Sequence, residues 1–342
     1  MSGTRGVIGL DIGSVAIKFV AMDSGGRVRS SGLIPRLAHG GEISREEAIR
    51  IRSVLTRRGL EGTRVAVGAP PTMATGAVLE LPPRSSGAPI DDLARAEIAR
   101  IMRAEAGSVE TVSWEVPRVG RGGAGTTVMG VGCHTERATE LVEALGEAGL
   151  TVESIEPECV AIARAAGAFC GARTGVTVDL GASSGRVGVV VSGHVAMERD
   201  LGELGVLDRV ASAASGAGLS DGAMRRVILE SGADASGSGW RGVIDGLASE
   251  IAEDAVRAIK ESVAYVHGKA SAMERVCVCG WGGEIPGVVE RIGAAVGVET
   301  SILRPAGVSG EPVGATHGLA AGLALAFVVS PGRRASKGGN QA

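Results

Sequence analysis

A two-lobed α/β fold with an inserted subdomain is predicted by three observations. The chain has 342 residues, too many for one ordinary core and suited to two lobes of roughly 150 residues each. An apolar strand that ends in Asp-x-Gly and turns back on itself occurs twice, at Asp11 and again at Asp179. Between the two copies, residues 74–149 carry short strands and helices that read as an insertion.

Taken in order, Val7 to Asp11 and Ala16 to Met22 read as two strands joined by a tight turn at Gly13-Ser14, with Arg27 to Ile34 as a third. Ile43 to Arg58 has apolar residues at helical spacing (Ile43, Ala48, Ile51, Leu55), with Ser44 as N-cap and Gly59 as the stop. Arg64 to Gly68 is a short buried strand, and residues 1–73 make the first part of lobe I. In the inserted block, Ala74 to Leu81 is a strand closed by Pro82-Pro83, and Ile90 to Ala106 is a helix. Thr111 to Val116 and Thr127 to Cys133 are strands around a Gly-rich hairpin, and Glu136 to Ala148 is a helix. Residues 150–174 return to lobe I through a strand, Thr151 to Ile155, and a helix, Glu158 to Phe169.

Residues 175–312 make lobe II. A second meander runs from Val176 to about Arg199. Mainly helical segments follow (Leu207 to Ala214, Asp221 to Glu230, Gly242 to Val266), broken by a strand at Arg275 to Cys279. Val313 to Val329 is apolar but short for a membrane span and contains His317, so residues 313–329 read as a buried C-terminal helix returning to lobe I. Residues 330–342 are Gly/Ser-rich, lack an apolar face and read as a disordered tail without membrane insertion.

Composition excludes several functions. A net charge of -3 offers no global attraction for nucleic acid. Aromatic residues make up only 2% of the chain, so the core must be built from Val, Ile, Leu and Ala. The five cysteines are scattered apart from Cys277 and Cys279, which share one face of a strand and read as small buried hydrophobes; no disulfide framework or zinc knuckle follows from them. The first residues run straight into a strand without the architecture of a signal peptide, the expectation for a cytoplasmic protein.

The repeated hairpin has a chemistry of its own. Val7-Ile8-Gly9-Leu10-Asp11-Ile12-Gly13-Ser14 and Gly175-Val176-Thr177-Val178-Asp179-Leu180-Gly181-Ala182 agree in pattern, and extending the register sets Lys18 opposite Arg186. An Asp at the end of a buried strand is costly unless something pairs with it, and a hydrated Mg²⁺ between two lobes is one such partner. A Gly two residues later lets backbone N–H groups approach phosphate oxygens. Two facing hairpins would clamp one polyphosphate. A third element, Val276 to Gly283, is a strand entering a glycine-rich turn, as expected where a backbone passes close to a nucleotide.

In this order and spacing the chain resembles the actin/Hsp70/FtsA superfamily, whose fold is ribonuclease H-like, and within it the PilM proteins of type IV pilus and type II secretion machines. Val7 to Met22 is similar to the first phosphate motif, Val176 to Arg199 to the second, Glu153 to Ala165 to the connecting motif and Cys277 to Gly287 to the adenosine motif. Residues 74–149 occupy the place of the FtsA/PilM subdomain 1C. Glu140 to Leu150, Glu250 to Val266 and Gly314 to Leu325 resemble further helices of that family.

The resemblance implies a cytoplasmic protein that binds ATP with Mg²⁺ between its lobes. It would be tied to the inner membrane through the short cytoplasmic N-terminus of a PilN-like partner docked on the 1C side. Carried over by position, Asp11 and Asp179 would organise Mg²⁺ and water, with Glu156 as the polar group near the attacking water. Gly13, Ser14, Lys18, Gly181, Ala182 and Ser183 would surround the phosphates, and Gly280, Trp281 and Gly282 the adenosine. Self-association into a homo-oligomer stays open.

Three departures fall on the adenosine side. Trp281 stands where the family has Gly, and an indole there either stacks on a base or fills its place, filling being the favoured reading. Leu204-Gly205 replaces an adjacent glycine pair. Met224 and Val227 replace a Glu and a Lys that reach the nucleoside and supply neither charge nor hydrogen bond. The expectation is a scaffold whose ATP affinity is weakened or lost and whose ATPase activity is weak or absent. The alternatives are an active ATPase of the same assembly, and a small-molecule kinase on the same fold, for which no catalytic signature is present.

Overall fold

The computed structural model describes residues 6–60, 64–116, 125–234, 240–267, 273–310 and 313–328. The expected tail and most of the Gly-rich hairpin at residues 117–124 lie outside the described residues. The first half opens with β1 (Ile8–Ile12), β2 (Ala16–Met22), β3 (Val28–Pro35), α1 (Arg45–Arg57) and β4 (Arg64–Ala69). The inserted block contributes β5 (Ala74–Leu81), α2 (Ile90–Met102), β6 (Val109–Glu115), β7 (Thr126–His134) and α3 (Thr135–Glu147), before β8 (Thr151–Pro157) and α4 (Glu158–Phe169). The second half consists of β9 (Gly175–Leu180), β10 (Gly185–Val191), β11 (His194–Leu201), α5 (Leu207–Gly216), α6 (Asp221–Asp234) and α7 (Arg241–His267). It ends with β12 (Arg275–Cys279), α8 (Val288–Val296), β13 (Glu299–Ile302) and α9 (Gly318–Leu325).

The two halves repeat one topology. One sheet has the order β3-β2-β1-β4-β8 and the other β11-β10-β9-β12-β13. In both, the meander strands pair antiparallel and the two crossover strands are parallel. The crossovers require helices, and each lobe buries its sheet against them. Ile51 and Leu55 of α1 pack with Leu10, Phe19 and Val67 in the first core, while Ile251 and Ile259 of α7 pack with Val178 and Val189 in the second. A third cluster joins the lobes: Ala66 and Ile162 from the first half meet Cys277 and Cys279 of β12 and Leu319 and Leu323 of α9. The cysteines are therefore the buried hydrophobes that their shared strand face predicts.

The inserted sheet has the order β5-β7-β6. α2 covers one face through Ala94 and Ile98, which meet Leu79, Leu81 and Val128. The other face turns to lobe II: Met129 and Val131 join its core, and the Trp114 indole N–H donates to the Val195 carbonyl of β11 at 2.9 Å. α3 departs from the expected block, because its Leu141 and Leu145 pack with Ala48, Ile51 and Leu55 in the first core.

Two other elements differ from expectation. β13 is a strand in a stretch that reads as mainly helical; it pairs with β12, and Arg275 clasps Glu299 across the pair at 2.5 Å. The C-terminal helix is shorter than residues 313–329. The Val313 N–H is spent on the Pro305 carbonyl, Ala315–His317 forms a 3₁₀ turn, and helix begins only at Gly318. α9 is buried on all sides, as a helix apolar all round must be.

Candidate functional site

The first hairpin sets a lysine against an aspartate. In the β1–β2 register Asp11 lies opposite Lys18, and the ammonium reaches Asp11 Oδ2 at 2.7 Å. Burial works against the Lys18 charge, but Asp11, with Asp179 and Glu158 beyond it, outweighs burial and holds the pKa above its ordinary value. Gly13 closes the turn by donating to the Ala16 carbonyl at 3.1 Å; a Cβ there would stand 2.8 Å from Lys18 Nζ.

Arg36 braces this hairpin from behind. It donates Nε to Glu47 Oε1 at 2.6 Å, Nη1 to the Gly13 carbonyl at 3.1 Å and Nη2 to the Glu42 carbonyl at 3.0 Å. Glu47 also closes a capping box with Ser44 at the start of α1 and accepts the Leu37 N–H. Burial pushes the Glu47 carboxyl up, and Arg36 with the Ser44 and Leu37 amides brings it below its ordinary value.

The second hairpin repeats the plan with an arginine. Arg186 stands opposite Asp179, confirming the register that pairs Lys18 with Arg186. Its guanidinium holds Glu158 of α4 at 2.8 Å and, on β11, Glu198 at 2.9 Å and Asp200 at 2.8 Å. One cation shared by three acids leaves them underpaid in charge. Burial pushes the Glu158 carboxyl up to about 8, with Arg186 opposing and Asp11 and Asp179 adding to the rise. Burial also raises Asp179, against Lys18. At the hairpin tips the Ser183 hydroxyl donates to Ser14 Oγ at 2.8 Å, a direct bond between the lobes.

The third wall comes from β12, which ends with Cys279 beside Asp179. Gly280 has φ +80°, and a Cβ on it would strike the Asp179 carboxylate and the Leu180 carbonyl. Gly282 is equally tight against Leu180 and Val206. These glycines serve the packing of the loop on β9. Between them Trp281 is half-buried, and Arg225 of α6 lies over its ring, 5.4 Å from the centroid.

Asp11, Gly13, Ser14, Lys18, Asp179, Gly181, Ala182, Ser183, Gly280 and Trp281 all line one cavity of about 550 Å³. Its size lies within the roughly 300–1,000 Å³ of small-molecule sites. Glu156 and Gly282 do not line it. Glu156 accepts from Arg164 at 2.7 Å and from Ser154 at 3.2 Å. The chain turns into α4 right after it, so Glu158 is the carboxyl that faces the cleft. Leu204 and Met224 are buried in the second core, and Leu204 packs on Gly185, where a Cβ would collide with it. Val227 does not line the cavity either; the α6 residue that does is Arg225. Sequence reasoning missed Arg36, Glu158 and Arg225. Glu158 and Arg225 adjoin motif positions, which is the signal that could have found them.

These residues fit a polyphosphate: two glycine turns, two hydroxyls and Lys18 converge from both lobes. A metal ion held by the protein alone would need more ligands than they bring together, whereas a magnesium ion carried by phosphates needs only one or two carboxylates, and Asp11 and Asp179 both line the cavity. Asp11 is already paired with Lys18, and among the described residues no group of three His, Cys, Asp or Glu could hold one.

No protein-family model matches the chain, and no curated protein matches it in sequence. Solved structures match its fold. A chain of the PilM-PilN type IV pilus biogenesis complex is 17% identical with a TM-score of 0.72, covering 95% of this chain and 99% of that one. The ethanolamine utilization protein EutJ from Carboxydothermus hydrogenoformans is 18% identical with a TM-score of 0.60, over 95% and 90% of the two chains. A ROK family glucokinase from Streptomyces griseus, solved with glucose and AMPPNP, is 13% identical with a TM-score of 0.56, over 94% and 99%. The chain has the two-lobed actin-like fold.

Proposed function

We propose that the protein is a cytoplasmic actin-like scaffold of a type IV pilus or type II secretion assembly platform. It binds the cytoplasmic N-terminal peptide of a PilN-like inner-membrane protein through its inserted subdomain. The observation that carries this reading is the end-to-end likeness to a chain of the PilM-PilN complex, which leaves almost none of either chain unmatched. The inserted subdomain adds support, since it carries exposed apolar side chains, Ile101 on α2 and Val112 on β6. Among the described residues no helix is long and apolar enough to cross a membrane; in this proposal the PilN-like partner supplies the attachment.

The same proposal gives the cleft a nucleotide held by its phosphates, with weakened affinity for ATP and little or no hydrolysis. Gly13, Ser14, Lys18, Gly181, Ala182 and Ser183 would hold the phosphates; a magnesium ion would arrive with them and keep its water, facing Asp11 and Asp179. Support for weak hydrolysis comes from Glu156, whose carboxylate is engaged by Arg164 outside the cavity.

Two measurements test the proposal. A PilN-like N-terminal peptide is expected to co-purify with the full chain and to be lost from a variant carrying Ile101→Glu and Val112→Glu with an unchanged melting curve. Failure of any such peptide to bind removes the scaffold reading. Calorimetric titration with Mg-ATP is expected to give binding weaker than micromolar; micromolar binding would sink the weakened-site reading.

A further inference from the structure

We propose that the outer face of α1 docks on an anionic membrane surface, its arginines meeting lipid phosphates and Ile49 entering between the headgroups. The choice of a membrane rests on the reading of the protein as part of an inner-membrane platform. α1 turns Ala48, Ile51 and Leu55 into the first core. At 100° per residue, the opposite side carries Ile49 and Ser53 along its middle, with Arg45 and Arg52 on one flank and Arg50 and Arg57 on the other. Arg58 follows at the C-cap. Ile49 is 53% exposed. Arg50 Nη1 reaches the Pro35 carbonyl at 3.3 Å, which sets its flank beside the segment where Leu37 is 49% exposed.

The charge of this face is uncompensated. Elsewhere the protein gives many surface arginines a carboxylate: Arg64 holds Glu153, Arg199 holds Glu261 and Arg304 holds Glu284. On the outer face of α1 only Arg45 has one, Glu147 of α3. Arg50, Arg52, Arg57 and Arg58 have no carboxylate partner among the described residues. Of the two acids in the helix, Glu47 is buried against Arg36, so Glu46 alone opposes them. The end of a helix favours cations, which accounts for Arg57 and Arg58; Arg50 and Arg52 stand before the last turn and need another reason.

The shape and chemistry of the face choose its partner. A peptide is held by a groove or a strand edge, and the convex side of one helix offers neither. A nucleic acid would meet a protein of net charge -3 and a helix without an aromatic side chain to stack on. A bilayer is broad, presents phosphates, and accepts an apolar side chain below them. Arginine stems lie along such an interface with their heads at the phosphates. Each basic residue held there strengthens binding by about fivefold.

The test is co-sedimentation of the full chain with vesicles of phosphatidylglycerol and phosphatidylcholine in equal parts, and with vesicles of phosphatidylcholine alone. The wild type is expected to bind the anionic vesicles and not the neutral ones. It should be released as salt rises from about 0.1 M to about 1 M and the Debye length falls from about 10 Å to about 3 Å. Arg50→Gln with Arg57→Gln, at an unchanged melting curve, is expected to weaken binding by about 25-fold. Ile49→Ser should weaken it too, with the salt dependence kept. Arg95→Gln with Arg100→Gln on α2 changes the net charge equally at another place and is expected to leave binding unchanged. Absence of binding to anionic vesicles, equal binding to neutral ones, or equal losses in the two double variants overturns the inference. Capture of polyglutamate or DNA in place of vesicles also overturns it. If vesicles fail while the PilN-like peptide still co-purifies, the membrane face falls and the scaffold reading stands; the reverse result keeps the membrane face and removes the scaffold reading.

Discussion

Replacing Glu158 by Gln should make the protein more stable at alkaline pH and leave it unchanged in acid. Burial, opposed by Arg186 and helped by Asp11 and Asp179, raises this carboxyl from its ordinary 4.5 to about 8. The folded state thus keeps a proton that the unfolded chain releases near pH 4.5. The contribution of Glu158 to stability is fully present below that pH and is lost as the pH climbs to the folded value. At about 1.4 kcal/mol per pH unit, the loss reaches about 3 kcal/mol by pH 7 and about 5 kcal/mol once the folded carboxyl ionises. Glutamine keeps the shape and an acceptor for Arg186 but cannot ionise. Urea unfolding followed by circular dichroism from about pH 5 to about pH 9 would compare the two proteins, the wild type falling below the variant as pH rises. The reasoning is refuted if the difference stays flat across that range. It is also refuted if the variant becomes the weaker one at high pH, which would mean that Glu158 is ionised and held by Arg186 throughout.

Leu204→Gly restores the glycine pair of the resembled family but empties a core position, so it should cost at least the 2–5 kcal/mol of a buried Leu→Ala change without raising ATP affinity; thermal melting and titration check both parts. Gly322→Ala places a Cβ 2.5 Å from the Ala161 carbonyl carbon. Because backbone cannot give as a side chain can, α4 and α9 must part, and a melting experiment should read a loss near the upper end of about 1–3 kcal/mol. Arg36→Ala leaves Glu47, whose side chain is only 3% exposed, without its cation; a loss of about 3–5 kcal/mol is expected on denaturation. It should also weaken binding of any phosphate ligand, since the Gly13 carbonyl loses its brace.

The fold was legible where local pattern and packing agree. The two meanders could be read because an apolar strand, a glycine turn and a second apolar strand are local signals, and pairing them set Lys18 and Arg186 in equivalent registers. β13 escaped because Glu299, Thr300 and Ser301 carry no apolar alternation; only the neighbouring β12 makes them a strand. The start of α9 escaped for the opposite reason. An apolar run records burial, and Val313 and Ala315 are apolar without being in the helix, since the hydrogen bond to Pro305 and the 3₁₀ turn use the backbone otherwise. α3 was grouped with the insertion by its place in the chain, whereas Leu141 and Leu145 assign it to the first core.

The site was legible in its motifs and not in the directions of its side chains. Successive residues of a helix point about 100° apart, so a position matched one residue away from the cleft delivers a different group. Met224 illustrates this: it turns into the core, and its neighbour Arg225 reaches the cavity. At the β8–α4 junction the change from strand to helix separates two carboxylates in the same way: Glu156, on the strand, is taken by Arg164, and Glu158, on the helix, lines the cavity. The consequence bears on how the departures are weighed. Leu204 and Met224 change the core and say nothing about a ligand, so they are no measure of a lost base site. Trp281 does face the cavity, and Arg225 covers it. The wall at Trp281 therefore carries a paired indole and guanidinium, so that one face of the indole is already taken by the protein itself, and Arg225 Nε is buried without a protein partner.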